Sequence, residues 1–299
     1  MLKFRPVYAD DYEKAFPIMF ETGYQSTESS FIVLHAWCNL YGGEICIDDK
    51  TVFIRSKRKD GHYSYLPPLG GDMKEGLLKI FETEKKSGEE LRLHSVTERM
   101  REKMEEAFPG EFEYTERRNS SDYIYLRENL ATLAGKKMHQ KRNHFNKFIK
   151  NFEGRYSYSN MTEEDIPDVL AFQQKWISMA SEKDGMDVLE YETTVIEKLL
   201  SFFDRFELRG GVLRVDGEIC AYCLGAKISE DTVDVMVEKG DYAYEGVYQA
   251  INKFFAENNC GDVMFINREE DMGIEGLRRA KLSYNPEYIL MKYGAIWKR

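Results

Sequence analysis

The chain has 299 residues, 42% of them hydrophobic and 13% aromatic, enough for one large core or two ordinary ones, because domains run to roughly 100–200 residues; two is the expectation. With 42 Lys and Arg against 52 Asp and Glu the net charge is −10, so nucleic acid and anionic membrane are repelled unless positive charge is gathered locally. No stretch approaches the roughly 18 apolar residues that span a bilayer, and residues 1–6 carry no apolar leader core, so a cytoplasmic protein is expected.

In chain order, Ala9-Asp10-Asp11-Tyr12 opens an acidic helix start ahead of apolar residues at helical spacing. Residues 42–54 read as two short strands around the acidic turn Asp48-Asp49. The segment from Gly71-Asp72 to Gly76-Leu77 leads into an apolar-periodic helix; Gly88, an apolar strand at 91–95 and a further helix follow. Between Glu128 and Glu153 there is no acidic residue, and Met138, Phe145, Phe148, Ile149 and Phe152 recur at helical spacing. The pattern predicts a basic helix that packs one face and gathers Lys137, Lys141 and His144 on another.

The second half then repeats the first. Thr162-Glu163-Glu164-Asp165 opens another acidic helix start, Gly210-Gly211 begins a second hairpin, and Gly240-Asp241 to Gly246-Val247 matches the earlier glycine-aspartate segment with one inserted residue. Gly43 and Gly71 are 28 positions apart, Gly211 and Gly240 29. Gly261, a strand at 263–267 and a final helix complete the copy. Each copy thus runs helix, helix, hairpin, strand, helix, strand, helix. The strand-helix-strand crossover makes its strands parallel, so the fold class is α/β with a mixed sheet. That is the arrangement of the GNAT (N-acetyltransferase-type) fold. The expected organisation is an N-terminal GNAT-like domain at 1–120, a basic linking helix at 121–155 and a C-terminal GNAT-like domain at 156–299.

Five cysteines form an odd set and are expected to be reduced. Cys220 and Cys223 match C-x-x-C, but three residues apart on a strand they point to opposite faces. His139 and His144 lack ligand-spaced partners, so no metal site is expected. There is no Ser/His/Asp order, P-loop or dinucleotide fingerprint, which leaves covalent, nucleotide and nicotinamide chemistry without support.

The stretch Asn267-Arg268-Glu269-Glu270-Asp271-Met272-Gly273-Ile274-Glu275-Gly276-Leu277-Arg278-Arg279-Ala280-Lys281-Leu282-Ser283-Tyr284-Asn285-Pro286, with the basic run from Lys136 to Phe148, resembles the C-terminal domain of phosphatidylglycerol lysyltransferase across nearly the whole chain. The resemblance implies a tandem GNAT-like fold shared with Fem-type peptidyltransferases, whose members often move an aminoacyl group from a charged tRNA to an amine or hydroxyl. The donor would be aminoacyl-tRNA or acyl-CoA. Ordinary GNAT enzymes hold the CoA pyrophosphate on a glycine-rich turn; here Gly240 and Gly246 remain, but Asp241 and Glu245 would repel it. The membrane-spanning half of the lysyltransferases has no counterpart, so a lipid acceptor is not carried over.

Two sites are expected. Beyond the strand at 263–267, Glu269 or Asp271 would take the proton of an acceptor, Arg268 or Arg278 would stabilise an oxyanion or bind phosphate, and Asn267, Lys281 and Tyr284 would complete the site. The bland alternative is a capped helix with charges ordered by its dipole. On the basic helix, Lys137, Lys141, Arg142 and His144 would meet the phosphates of tRNA or a phosphate-bearing small molecule, or an anionic membrane surface, or only solvent. The competing function is a non-catalytic GNAT-like protein that binds RNA or another phosphate-bearing ligand. A cleft between the copies is where a long donor would lie.

Overall fold

The computed structural model describes residues 1–85, 90–184 and 186–298; Gly88 lies outside the described residues. In chain order the elements are β1 (Arg5–Pro6), α1 (Tyr12–Glu21), α2 (Phe31–Tyr41), β2 (Gly43–Asp48), β3 (Thr51–Lys57), β4 (Tyr63–Tyr65), β5 (Leu69–Gly70), α3 (Met73–Glu84), β6 (Arg92–Thr97), α4 (Glu98–Ala107), β7 (Phe112–Glu116) and β8 (Asp122–Leu126). There follow α5 (Arg127–Thr132), α6 (His139–Asn151), β9 (Tyr156–Asn160), α7 (Ile166–Asp184), α8 (Met186–Leu200), β10 (Arg209–Val215), β11 (Glu218–Ser229) and β12 (Thr232–Gly240). The chain closes with α9 (Val247–Asn258), β13 (Phe265–Asn267), α10 (Glu275–Leu282), β14 (Tyr288–Leu290) and β15 (Lys292–Trp297).

Both copies follow the expected order and open on the same device. Tyr8 N–H donates to Asp11 Oδ2 at 2.9 Å, and Thr162 N–H to Asp165 Oδ2 at 2.8 Å, so a carboxylate three residues on closes each helix start. The crossovers are parallel, with Tyr65 opposite Leu93 in one and Thr232 to Asp234 opposite Phe265 to Asn267 in the other.

The sheets do not follow the halves of the chain. The first runs β1-β2-β3-β4-β6-β15-β7, with β5 beside β3, and the second β14-β8-β13-β12-β11-β10-β9. Each is completed by a strand from the other half. The last strand, β15, lies antiparallel between β6 and β7, with Tyr293 opposite both Val96 and Glu116. In return β8 lies between β13 and β14, with Ile124 opposite Asn267 and Tyr288. Residues 121–155 are accordingly not one helix: they supply β8, α5 and α6, and only the last is the basic helix.

One apolar cluster joins the first sheet and its helices to α7, α8 and one face of the second sheet, through Phe31, Phe53, Phe206, Val212, Tyr222 and Leu224. The other face of the second sheet packs α5, α6 and α9 through Leu130, Phe148, Ile251 and Phe255. Cys220 and Cys223 are buried free thiols. Among the described residues no helix is long and apolar enough to cross a membrane, and no group of His, Cys, Asp or Glu is arranged to hold a metal.

Candidate active site at the seam of the two copies

β12 pairs with β13 only as far as Asp234 opposite Asn267, then continues to Gly240 beside β11. The two strands part there, and the chain leaving β13 turns with Glu269 in the left-handed region at φ +54°. Asn267 sets that turn. It is fully buried, its Oδ1 accepts Glu269 N–H at 2.7 Å, and its Nδ2 donates to Gln25 O at 2.8 Å and to Asp122 Oδ2 at 3.1 Å. Its Oδ1 thus shapes the turn, and its Nδ2 ties the turn to the first half of the chain.

Around it lies a polar seam that the sequence reading did not include. Lys292 Nζ, with no exposed surface, sits 2.7 Å from Asp122 Oδ1 and 2.5 Å from Glu28 Oε2. Burial works against its charge, but Asp122, Glu28 and Glu270 outweigh it and the ammonium is held ionised. Thr27 Oγ1 donates to Asp234 Oδ2 at 2.5 Å and to Glu269 Oε1 at 3.3 Å. Burial, followed by the neighbouring Asp122 charge, pushes the Asp234 carboxyl up to about 8. Burial and the adjacent Asp234 and Glu270 likewise raise Glu269 well above the carboxylate range. Tyr41, at the exposed end of α2, stands close enough to Glu270 and Glu269 to feel their charge. At Asn267 the copies are in contact, through Gln25 and Asp122; a cavity of 330 Å³ between them lies at Tyr12, Phe16, Phe206 and Lys227. A groove of 820 Å³ lies beside Arg5, Asp11 and Asp48 of the first copy, away from Asn267.

Arg268 turns the other way. Its Nη2 donates to Glu238 Oε1 on β12 at 2.9 Å, bridging the parted strands, and its guanidinium lies 4.7 Å from the Tyr284 ring. Tyr284 is buried, with Lys141 Nζ 4.1 Å over its ring. Burial and then Arg268 lower the Lys141 ammonium to about 8. Lys141 therefore faces inward, while Lys137 lies exposed before the helix begins and His144 lies exposed on it. The expected single stripe is broken because the helix starts at His139. Arg142 donates to Leu133 O at 2.5 Å and Gly135 O at 3.2 Å, tying the helix to the preceding turn.

Asp271 is clamped. Arg278 donates to both its oxygens at 2.8 Å, Tyr123 Oη at 2.5 Å, Gly273 N–H at 2.8 Å and Arg118 at 3.2 Å. These donors overcome the burial penalty and hold the carboxyl far below its ordinary range, so Asp271 is a poor proton acceptor. Lys281 Nζ donates to the backbone oxygens of Arg268 and Glu270, fastening α10 over the turn; burial lowers its pKa.

The glycine-rich turn before α9 is covered. Gly246, at φ +85°, would place a Cβ 2.2 Å from the His144 carbonyl oxygen of α6, and Lys147 pairs with Glu245 at 2.8 Å. In the first copy α3 begins at Met73, capped by the Asp72 side chain; α9 begins only at Val247, and Asp241 instead accepts Ala243 N–H.

The model of the family described as phosphatidylglycerol lysyltransferase, C-terminal, matches residues 21–296. The chain belongs to this family. A crystal structure of a conserved protein of unknown function from Bacteroides thetaiotaomicron is 34% identical, with all of both chains covered and a TM-score of 0.92. Two solved structures share the family fold at low identity. The C-terminal domain of a putative lysylphosphatidylglycerol synthetase from Agrobacterium fabrum has 13% identity and a TM-score of 0.68, over 97% of this chain and 92% of that one. L-PGS from Bacillus licheniformis has 14% identity and a TM-score of 0.66, over 96% and 92%. An uncharacterised protein of Mycoplasmoides gallisepticum is 25% identical over 175 residues, 58% of this chain and 56% of the relative, so the match spans about half of the curated relative's length.

The family signature at 267–286 thus converges on one place, but its residues divide: Glu269 stays uncommitted, while Asn267, Arg268 and Asp271 are held in fixed contacts. The residues missed, Glu28, Asp122, Asp234 and Lys292, come from four separate elements or loops. Three carry a sequence signal, a charge set against a run of apolar and aromatic residues, as in Val233-Asp234-Val235, Asp122 before Tyr123-Ile124-Tyr125, and Lys292 after Ile289-Leu290-Met291. Such a charge is buried only when paired.

Proposed function

We propose that this chain is an acyl- or aminoacyltransferase in which Glu269 takes the proton of an amine or hydroxyl acceptor. The observation that carries the reading is that Glu269 is partly buried and, among the described residues, has no ion pair, only the Thr27 hydroxyl at 3.3 Å. A carboxyl so placed, with its affinity for protons raised, is suited to general acid–base work. The acceptor lone pair attacks the carbonyl carbon of the donor ester while Glu269 takes the acceptor proton. Collapse of the tetrahedral intermediate breaks the ester C–O bond, and Glu269 returns the proton to the leaving oxygen. Lys281 has spent two N–H bonds on backbone oxygens; its third is free to meet the oxyanion. Asn267, Arg268, Asp271, Arg278 and Tyr284 act as positioning residues that hold the turn.

Aminoacyl-tRNA is the donor this reading favours. The covered turn at Gly246 and the carboxylates of Asp241 and Glu245 argue against an acyl-CoA pyrophosphate there. Lys136, Lys137, His144 and Lys150 are exposed along and before α6, a surface on which RNA binding weakens as salt rises.

The test is transfer from aminoacyl-tRNA, with acyl-CoA in parallel, to amine and hydroxyl acceptors. Glu269→Gln is expected to lower kcat by roughly 10²–10⁴-fold with the fold intact. The wild-type rate should climb with pH through the raised carboxyl pKa. Full activity in Glu269→Gln would remove Glu269 from the reaction. If neither donor is used and the protein copurifies with RNA, the non-catalytic RNA-binding reading stands instead.

A further inference from the structure

Two of the carboxyls at the seam face one hydroxyl. Asp234 on β12 has no exposed surface. Its Oδ2 lies 2.5 Å from Thr27 Oγ1, and its buried Oδ1 has no hydrogen-bond partner among the described residues. On the other side of the same hydroxyl, 3.3 Å away, is Glu269 Oε1. Thr27 is held in place between them: it is buried, its backbone N–H donates to Asp122 Oδ2 at 3.2 Å, and the Ser26 and Ser29 hydroxyls close its turn at 2.7 Å. The three groups come from the loop between α1 and α2, from β12 and from the turn after β13, so both copies contribute.

A threonine hydroxyl has one hydrogen and two lone pairs. It donates fully to one carboxylate, and it meets a second as an acceptor only if that carboxyl carries a proton. Neighbouring ammoniums do not remove the need for one, since Lys292 Nζ is spent on Asp122 and Glu28, and Lys281 Nζ binds backbone oxygens. The other titratable groups that face the pair are Asp122 from β8, Glu270 beside Glu269, and Tyr41 from α2. Burial and these carboxyls raise the proton affinity of Asp234 and Glu269 alike. The pair therefore retains a proton where two separate surface carboxyls would have lost both.

We propose that Asp234, Thr27 and Glu269 form a proton relay, in which the two carboxyls share one proton through the Thr27 hydroxyl. With the proton on Glu269, its O–H donates to Thr27 Oγ1 and the Thr27 O–H donates to Asp234. Transfer moves two hydrogens one place each: the Glu269 proton passes to Thr27 Oγ1 as the Thr27 proton passes to Asp234 Oδ2. The negative charge moves from Asp234 to Glu269, and no other reactant is needed. Glu269 is the partly exposed end and Asp234 the sealed one, so a proton reaches or leaves Asp234 through Thr27. The use of the relay rests on the role proposed for Glu269. A proton stored on Asp234 leaves Glu269 ionised when an acceptor must lose its own, and Thr27 and Asp234 act as positioning residues that set the state of Glu269.

The experiment is carboxyl-carbon NMR of the whole chain with isotope-labelled Asp and Glu, followed over pH, with the two signals assigned from Asp234→Asn and Glu269→Gln. In the wild type both signals are expected to inflect at the same two pH values. Asp234→Asn leaves Glu269 a single inflection, lower by about one pH unit or more because a like charge is gone. Thr27→Val, similar in shape but without the hydroxyl, separates the titrations, with Asp234 moving up by about one unit or more as its anion loses its donor. Thr27→Ser restores the shared pattern. Independent titration of the two carboxyls in the wild type, or a shared pattern that persists in Thr27→Val, overturns the relay. Where transfer is seen, Thr27→Val is expected to lower kcat by roughly tenfold or more at unchanged KM, with recovery in Thr27→Ser; an undiminished kcat in Thr27→Val also overturns it. A chain that transfers from neither donor yet shows the shared titration removes the proposed reaction and supports the proton pair.

Discussion

A lysine ammonium with no exposed surface persists only where carboxylates surround it, and Lys292 meets that condition at the seam, between Asp122 and Glu28. Removing one partner leaves the others buried and unpaired, which costs more than the pair gains. Lys292→Met is expected to lower unfolding stability by about 3–5 kcal/mol, and adding Asp122→Asn should recover part of it; denaturant melts of the two variants decide. Asp234 gives a pH-dependent counterpart. Its carboxyl titrates at about 8 in the folded chain, so between the ordinary carboxyl pKa and about 8 the folded state holds a proton the unfolded state has released. Stability from this group falls as pH rises through that window. Asp234→Asn should therefore differ little from wild type at pH 5 and become the more stable protein by pH 8.5; a difference that does not change with pH would contradict it. His35 runs the opposite way. Burial, then the Lys198 charge, lowers it to about 4, so its neutral form favours folding above the ordinary histidine pKa and that stability drains away as pH drops toward 4. His35→Phe, among Phe31, Phe202 and Phe206, should gain stability on wild type at pH 5 relative to pH 8.

At the scale of elements, α6 and α9 meet at a glycine. The sequence pattern marks Gly246 as part of a phosphate-type turn, yet the basic helix α6 lies across it, with the His144 carbonyl where a side chain would be. Gly246→Ala meets both a positive φ and that oxygen, and is expected to cost about 2 kcal/mol or more and to speed hydrogen exchange in α6 before α9. The exposed Lys147–Glu245 pair contributes far less, so Lys147→Gln serves as the comparison. The short helix α10 differs from the longer helices in being held by hydrogen bonds of Lys281 and Arg278 and not by apolar burial. A helix held that way is drawn from the low end of local stability.

Over the whole molecule, exchange of β8 and β15 makes the two copies one cooperative body. A chain ending at Leu290 loses β15 from between β6 and β7, so the first copy, far from the cut in sequence, is expected to lose protection from proteolysis together with the second. Residues 1–120 expressed alone lack the same strand and should not fold; a protease-resistant 1–120 fragment would show that the first sheet does not need β15. Unfolding of the intact chain is expected to be a single transition, because the shared core and the seam leave no surface along which one copy can open first.

The sequence by itself determined the repeated unit, the helix starts at Asp11 and Asp165, the parallel crossovers and the family, because each rests on local spacing, capping or a contiguous signature. Which residues of that signature are available to react was decided only in three dimensions. Asp271 is a carboxylate like Glu269, and Asn267 and Arg268 are polar neighbours in the same run, but the partners of Asn267 (Gln25 and Asp122), of Arg268 (Glu238) and of Asp271 (Arg118 and Tyr123) come from elsewhere in the chain. A side chain's proton affinity depends on burial and on charges within a few ångströms, and strand exchange brings those charges from opposite ends of the chain. Lys292 and Asp122 stand 170 positions apart, which is why spacing could not announce them.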